Sequence, residues 1–196
     1  GADKKVNYPF GFGLSYTDFE ISDIDVRSNE NTISVSASVT NTGKTYGKEV
    51  VQVYYSAPQG KLGKPSRELA AFKKTDLLAP SETRKVYMAF PVSDMASYDD
   101  TGKIKMSSYI LEKGSYRFYV GNSVRNTVKA DFEYIIDNDI ITEQLTQQAA
   151  PCKLEKRMLS DGSFENMPSY KNNTKRSEPE PLAAGAPNSP AMLIDV

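Results

Sequence analysis

Residues 32–40 read TISVSASVT, a stretch in which polar and apolar side chains alternate without interruption. Successive side chains of a β-strand point to opposite faces, so this period of two places all four apolar residues on the same side. The stretch therefore predicts a strand with one buried face and one exposed face.

The segments on either side continue this pattern. Residues 19–26 (FEISDIDV) alternate less regularly, because the apolar positions slip out of phase between Ile21 and Ile24. A β-bulge between them would restore the phase. Residues 41–47 (NTGKTYG) are rich in turn-forming residues, and residues 49–55 (EVVQVYY) predict a third strand.

Further strand-like segments follow at nearly even spacing, with turn signals between them. They span residues 68–76, 84–92, 104–111, 116–120 and 127–136, and residues 57–66, with two prolines and two glycines, form a long loop before them. Seven or eight short strands with turns about every ten residues are typical of an antiparallel β-sandwich. We therefore predict an all-β, immunoglobulin or fibronectin type III-like fold.

One tyrosine supports this class of sandwich. Tyr116 follows Gly114 and begins an alternating strand. This is the position of a tyrosine corner, in which the hydroxyl bonds to backbone a few residues upstream. A tyrosine that only packs its ring at the start of a strand fits the sequence equally well, and both interpretations are structural.

The composition changes near residue 136. Six of the eleven prolines lie in the last sixty residues, and residues 178–190 favour extended, polyproline-like chain. The apolar residues 191–196 resemble the start of another element. We therefore predict a folded domain over residues 18–136, followed by an extended tail over residues 137–196.

The beginning of this tail has a helical pattern. Asp139 is placed to cap a short helix, Pro151 would end it, and apolar residues recur at every fourth position between them. These apolar residues are Ile141, Leu145 and Ala149. The tail is accordingly predicted to be partly helical.

The composition excludes several kinds of chemistry. The 196 residues contain no His, which rules out Ser-His-Asp and Cys-His nucleophile systems and histidine metal ligands within them. Cys152 is the one cysteine, so these residues can form neither an internal disulfide nor a cysteine zinc cluster. The net charge of −1 gives no reason to expect nucleic acid or an anionic membrane as a partner.

Carboxylates could still support glycoside hydrolysis, which needs a pair about 5 Å or 6.5–9.5 Å apart. Such spacings cannot be read from a sequence. The doublet Asp99-Asp100 precedes Thr101-Gly102 and favours a solvated turn. Residues 137–139 (DND) match a calcium loop over only three positions and more simply end a strand. The residues therefore nominate no catalytic, cofactor-binding or metal-binding group.

Sugar binding is a separate alternative. Twelve tyrosines and eight phenylalanines could build a stacking platform, which would make the domain an autonomous carbohydrate-binding module with a weak glucan contact. Tryptophan, on which such platforms usually depend, is absent, and most of the aromatic residues occupy inward strand positions or the opening segment. The alternative stays open.

Residues 8–20 (YPFGFGLSYTDFE) closely resemble the segment by which glycoside hydrolase family 3 enzymes pass from their α/β sandwich domain into a fibronectin type III-like domain. Later motifs follow the same family in order and spacing as far as about residue 135. They are VTNTG at 39–43, GKEVVQVY at 47–54, KPSRELAAF at 64–72, LAPSET at 78–83, GSY at 114–116 and VGNS at 120–123. One departure is the lack of an aromatic residue after residues 98–100, where Ile104 lies nearby instead.

The resemblance implies a parent enzyme of the retaining β-glucosidase type. Its nucleophilic Asp would lie in a TIM-barrel domain and its acid/base usually in the α/β sandwich domain, neither of which falls within residues 1–196. The resemblance therefore supplies no catalytic residue and no cofactor for this chain. It implies a non-catalytic module that buttresses the catalytic domains of the same polypeptide.

The resemblance also assigns the two ends. Residues 1–17 would connect the domain to the α/β sandwich domain. Residues 152–165 (CKLEKRMLSDGSFE) and 193–196 are similar to the connector of circularly permuted members, in which the barrel follows the fibronectin-like domain. Residues 137–196 would then be a strap toward a barrel.

Two groups of side chains are candidates for contact with other domains. The expected interdomain contacts are Tyr8, Phe10, Phe12 and Tyr16. A second group lies on or beside the loop 57–66, which could approach the entrance of the parent's active site, although a solvated loop explains it as well. This group consists of Lys61, Lys64 and Arg67.

Localisation rests on weak signals. The single unpaired cysteine and the absence of a signal sequence favour the cytoplasm. A longer parent could carry its own signal.

Overall fold

A computed structural model describes residues 6–146, 155–159 and 161–166. These residues form twelve strands and one short 3₁₀ helix, Val92–Met95. The strands are β1 Phe19–Asn29, β2 Thr32–Asn41, β3 Val50–Ser56, β4 Glu68–Lys74, β5 Thr83–Pro91, β6 Ser97–Asp99, β7 Ser108–Leu111, β8 Gly114–Gly121, β9 Thr127–Ile136, β10 Ile140–Gln144, β11 Lys156–Met158 and β12 Phe164–Asn166.

Two antiparallel sheets enclose the core. One has the strand order β1-β2-β5 and the other β4-β3-β8-β9. The four apolar side chains of β2 point into the space between the sheets and are at most 2% exposed, where they meet Val53 of β3 and Phe118 of β8 in one cluster. The predicted sandwich is confirmed, because the alternation of residues 32–40 buries one face of β2.

Two local predictions are also confirmed. The register of β1 against β2 shifts between Ser22 and Asp25, so a bulge absorbs the phase slip, and Asp23 within it has a φ of +48°. Tyr116 is fully buried, and its hydroxyl donates a hydrogen bond to the Glu112 carbonyl oxygen at 3.1 Å. That bond is the tyrosine corner, which ties the start of β8 to the preceding turn.

A third sheet, β10-β7-β6, lies beside the sandwich and corrects one strand prediction. The strand expected over residues 104–111 begins only at Ser108, because the preceding residues wrap around Asp99. The carboxylate of Asp99 is fully buried and accepts hydrogen bonds from five backbone N–H groups, those of residues 101–105. The solvated turn predicted for Asp99-Asp100 is therefore wrong for Asp99.

These bonds also control the charge of that carboxylate. Burial alone would raise the pKa of Asp99, but the N–H groups of Ile104, Lys105 and their neighbours outweigh it and hold the pKa below its ordinary value. Asp99 therefore carries a negative charge inside the loop that it organises.

The predicted helix after Asp139 is wrong. Residues 140–144 form β10, which pairs antiparallel with β7, and Asp139 accepts a hydrogen bond at 2.8 Å from the Lys113 N–H instead of capping a helix. The β-branched residues Ile140, Ile141 and Thr142 favour a strand, and an available sheet edge at β7 lets them form one. Ala149 and Pro151 lie outside the described residues.

Candidate functional site

The opening segment of the described chain, residues 6–16, contacts the outer face of the β4-β3-β8-β9 sheet. The ring of Phe10 packs edge-on against Tyr54 of β3, with 6.4 Å between ring centroids. Tyr54 points outward from its sheet, yet it is only 1% exposed. The segment therefore covers part of a sheet face that would otherwise be open to water.

Hydrogen bonds hold the segment in this position. The Gln52 side-chain amide donates to the Gly11 carbonyl at 2.9 Å, and the Val124 N–H donates to the Phe10 carbonyl at 3.0 Å. Gly11 has a φ of +79°, and a Cβ placed on it would overlap the Gln52 side chain and lie 2.7 Å from the Tyr54 hydroxyl. Glycine is needed here for both its conformation and its small size.

The large side chains of this fixed segment nevertheless face solvent. Tyr16 is 99% exposed, Leu14 90%, Tyr8 70% and Phe10 65%. Phe12 is 45% exposed, and its ring lies 5.1 Å from that of Tyr8. All four residues predicted as interdomain contacts thus lie together on one ordered, exposed segment.

Apolar side chains of β4 extend the same face. Phe72 pairs with Gln52, and Leu69 pairs with Tyr54, so both lie on the side that the opening segment covers. Phe72 is 66% exposed and Leu69 is 37% exposed. We call this face, made by residues 8–16 with Leu69 and Phe72, the aromatic face.

The loop 57–66 lies at one end of the sandwich and is organised by one carboxylate. Glu112 accepts hydrogen bonds from the backbone N–H groups of Lys61 and Leu62 at 2.6 and 3.1 Å. The same carboxylate forms an ion pair with Lys64, and both side chains are at most 3% exposed. A Cβ on Gly60 would overlap the Glu112 carboxylate, so glycine allows the loop to approach it.

The three basic residues predicted near this loop separate into different roles. Lys64 is buried, and its ammonium also donates to the Pro58 carbonyl at 3.0 Å, so it holds the loop from within. Arg67 stacks over the Tyr119 ring at 4.0 Å and donates to the Val124 carbonyl at 2.7 Å. Among these three, Lys61 is the exposed residue.

A second carboxylate, that of Glu68, lies near Lys64 of this loop. Burial raises the pKa of Glu68 above its ordinary value, against the lowering effects of a hydrogen bond from Tyr55 and the charge of Lys64. Burial and the nearby Glu68 also raise the pKa of Tyr55. One oxygen of Glu68 is buried without a hydrogen-bond partner. This end of the sandwich therefore holds both the buried Lys64–Glu112 ion pair and a carboxyl group, that of Glu68, which is shielded from water.

The hairpin of β11 and β12 packs beside this loop. A cleft of about 620 Å³ separates the two, and its walls include residues 59–65 on one side and residues 157–159 on the other. Glu165 of β12 forms ion pairs with Arg157 of β11 and with Lys103, whose ammonium lies 3.0 Å from its carboxylate. The described part of the tail therefore contacts the domain.

Sequence reasoning does not find the two carboxylates that shape these loops. Glu112 lies in an ordinary turn sequence, LEKGSY, and Asp99 lies in a polar doublet. Their roles depend on which backbone N–H groups the fold brings to them, over separations of 50 residues or more for Glu112. The one signal in the sequence is the pair Gly60 and Gly63, because closely spaced glycines in a loop favour a close approach of other side chains to its backbone.

Within residues 6–146, 155–159 and 161–166, no set of three or more His, Cys, Asp or Glu side chains is arranged to hold a metal ion. No helix in the described ranges is long and apolar enough to cross a bilayer.

Comparison with known proteins identifies the domain. The family described as the fibronectin type III-like domain matches residues 49–124. β-Glucosidase A of Butyrivibrio fibrisolvens is 48% identical over 183 residues, which cover 86% of this chain and 22% of that protein. The β-glucosidase of Ruminococcus albus is 43% identical over 171 residues, covering 85% of this chain and 18% of its own length.

A solved structure agrees in fold. The β-glucosidase of Paenibacillus barengoltzii superposes with a TM-score of 0.72 at 44% identity and covers 82% of this chain and 19% of that one. The chain thus spans about a fifth of the length of the relatives that it matches. It contains the fibronectin type III-like domain of the glycoside hydrolase family 3 β-glucosidases.

Proposed function

We propose that this chain is a non-catalytic structural module of a β-glucosidase-type polypeptide. In this proposal the sandwich packs against the catalytic domains of the same polypeptide and holds them in the geometry that brings nucleophile and acid together. The relatives are about five times longer than the stretch they share with this chain, which supports the presence of such domains.

The observation that carries the proposal is the aromatic face. Exposed apolar side chains on mobile ends are common in folded proteins, but here a segment held on the sheet by two hydrogen bonds presents five large apolar residues to water. Large exposed apolar side chains concentrated on one fixed segment are typical of an interaction site. Because the segment resembles the junction with the α/β sandwich domain, that domain is the partner we propose.

The buried carboxylates support the non-catalytic part of the proposal. Retaining hydrolysis requires two carboxyl groups about 5–5.5 Å apart that can reach a glycosidic bond. Asp99 is saturated by backbone N–H groups, and Glu112 is committed to Lys64 and two N–H groups. Neither group is free to transfer a proton to a substrate.

The loop 57–66 is the part of this module that we propose to approach the entrance of the parent's active site. The Lys64–Glu112 pair gives the loop a defined shape, and Lys61 presents its charge to solvent. Lys64 itself would act by supporting the loop, since its side chain is buried.

The domain order of the parent is part of the proposal. The alignments with the B. fibrisolvens and P. barengoltzii proteins cover 86% and 82% of this chain, a larger share than residues 1–146 make up. Part of the tail is therefore shared with them, which supports a strap between domains. A coding sequence with a barrel starting shortly after Val196 would agree with the permuted order, and a stop codon there would refute it.

The proposal is tested first on the chain alone. Purified residues 1–196 should hydrolyse an aryl β-glucoside no faster than a mock-purified control. Turnover above that control that disappears in a Glu or Asp variant would make the chain a hydrolase and overturn its non-catalytic role.

The docking surface is tested in the complete polypeptide. The double variant Phe10→Ser/Phe12→Ser should lower both its glucosidase activity and its melting temperature. Tyr87→Ser is the matched control, because Tyr87 is a 63% exposed aromatic residue on the opposite sheet. Equal effects of the two variants would show that the aromatic face has no special role.

One observation favours the alternative of carbohydrate binding. Tyr98 of β6 and Tyr109 of β7 are cross-strand neighbours with ring centroids 5.2 Å apart, and both are partly exposed. Titration of the chain with cellobiose and longer glucans, followed by NMR, separates the two functions. Saturable shifts of these two rings at sub-millimolar ligand, lost in Tyr109→Ala, would favour the binding module.

A further inference from the structure

The hairpin β11–β12 is built as a compact unit. Three residue pairs join its strands, from Lys156 with Asn166 to Met158 with Phe164. At its turn the Leu159 N–H donates to the Ser163 carbonyl at 2.8 Å, and the Asp161 carboxylate accepts from the Ser163 N–H at 2.8 Å. An isolated two-stranded hairpin is marginally stable in water, so its order depends on what it contacts.

One contact is a three-residue ion network. Glu165 lies between two cations, accepting from Arg157 within the hairpin and from Lys103 at 3.0 and 3.2 Å. All three side chains are less than 30% exposed. A network of partly buried charges is less screened by solvent than a single surface pair.

The outer member of this network is itself fixed. Lys103 belongs to the loop that wraps around Asp99, and its own backbone N–H donates to that carboxylate at 3.1 Å. The ammonium that contacts Glu165 therefore belongs to a loop whose backbone is fixed by five hydrogen bonds to Asp99.

The second contact joins the hairpin to the loop 57–66. The guanidinium of Arg157 lies over Gly63, where an added Cβ would be 3.1 Å from Nη2 and 3.2 Å from Cζ. Glycine leaves room for the flat guanidinium to reach the loop backbone. Arg157 thus contacts the loop with one side of its guanidinium and Glu165 with its Nε–H.

We infer that β11 and β12 form a latch that docks on the domain through Lys103 and Gly63 and so holds the loop 57–66 in place. The loop then has two supports, Glu112, which binds Lys61, Leu62 and Lys64, and Arg157, which packs against Gly63. This inference is independent of the proposed function, since it concerns contacts within the described chain.

The latch is tested in the full 196-residue chain by amide exchange and NMR. Lys103→Met removes the outer cation while leaving the hairpin sequence intact. Exchange of the Leu159 amide should accelerate about fivefold, the effect of losing about 1 kcal/mol of a partly exposed ion pair. Lys103→Arg should restore the protection.

The matched control is Arg84→Met, because Arg84 forms an exposed ion pair with Glu82 at 2.8 Å, far from the hairpin in sequence. It should leave exchange of the Leu159 amide unchanged. Equal protection of Leu159 in Lys103→Met and in Arg84→Met would overturn the latch, and the dispersed spectrum of the sandwich core shows that each variant is folded.

A reciprocal variant tests the second contact. Gly63→Val should displace Arg157 and accelerate Leu159 exchange from the loop side, while Gly13→Val, at a site with no atom within 4 Å of the added Cβ, should not. In Lys103→Met the Gly63 resonance should also shift, because Glu165 and Arg157 connect Lys103 with Gly63. A Gly63 resonance that stays fixed would show that hairpin and loop are independent.

Discussion

The outer faces of the two main sheets differ sharply. The outer face of β1-β2-β5 carries Thr32, Ser34, Ser36, Ser38 and Thr40 along its central strand. Polar contacts on this sheet include the hydrogen bond between the Thr40 and Thr83 hydroxyls at 2.8 Å and the ion pair of Arg27 with Asp25 at 2.8 Å. The outer face of β4-β3-β8-β9 is instead covered in part by residues 8–13 and presents Phe10, Leu69 and Phe72.

This difference supports the proposal that one side of the domain packs on a partner. A sheet face made mostly of Ser, Thr and Lys, with Tyr87 as an exposed aromatic residue, is stable in water as it stands. On the other sheet, the opening segment already buries Tyr54, but Leu69 and Phe72 beside it are still exposed. A neighbouring domain that packed on this face would remove them from water. The asymmetry therefore supports the proposal that the β4-β3-β8-β9 sheet packs on another domain while the β1-β2-β5 sheet faces solvent.

The largest expected effect is the difference in stability loss between truncating a side chain on the outer face of β3 and truncating one on the outer face of β2. Tyr54→Ala should lower the free energy of unfolding by about 3–4 kcal/mol, because it empties a fully buried aromatic site. Ser34→Ala, at an exposed position on the outer face of β2, should change it by less than about 0.5 kcal/mol. Urea unfolding measures both, and similar losses in the two variants would contradict the difference between the faces.

A smaller effect separates two glycines of the opening segment. Gly11→Ala forces an L-residue into a left-handed conformation and against Gln52, so we expect a loss of about 1–2 kcal/mol and a shift of the Val124 amide that bonds to Phe10. Gly13→Ala meets nothing within 4 Å and should be neutral. If both substitutions are silent, residues 8–13 do not hold the position described here.

The smallest effect is a pH dependence on the β4-β3-β8-β9 sheet. Hydrogen bonds from Ser115, Lys129 and Arg117 lower the pKa of Glu133 from 4.5 to about 2. A pKa that is depressed in the folded state gives stability that is complete above about pH 4.5 and is lost as the pH falls toward 2.

Glu133→Gln should therefore flatten the stability curve between those two pH values, and its loss of stability relative to the native chain should be largest at pH 7 and disappear as the pH falls toward 2. A direct check is NMR titration of the Glu133 carboxyl carbon in the folded chain. A midpoint close to 4.5 would show that the three donors do not hold this carboxylate.

Features that depend on neighbouring residues in the sequence could be predicted, and features that depend on distant residues could not. The strands β2, β3, β5, β8 and β9 and the bulge of β1 could be predicted, because alternation and turn residues are local signals. The apolar positions of residues 49–55 occupy both faces of β3, a pattern that in hindsight marks a strand covered on both sides. The partner that covers it, residues 8–13, is forty residues away.

The failures have the same cause. Asp139 and the following residues match a helix locally, but β7 offers an open edge that only the folded sandwich creates. Asp99 reads as a solvated turn because the five N–H groups that bury its charge come from a loop whose path depends on that carboxylate. Lys64 reads as a surface cation because Glu112, its partner, lies 48 residues away.

The central claim is that the aromatic face is an interdomain surface, and side-chain footprinting tests it most directly. Hydroxyl-radical oxidation of Tyr8, Phe10, Phe12 and Tyr16 would be compared between this chain and the complete polypeptide, with Tyr87 as the internal reference. We predict that the four residues react readily in the chain alone and are protected in the complete polypeptide, while Tyr87 reacts equally in both. Unchanged reactivity of all five residues would contradict the claim.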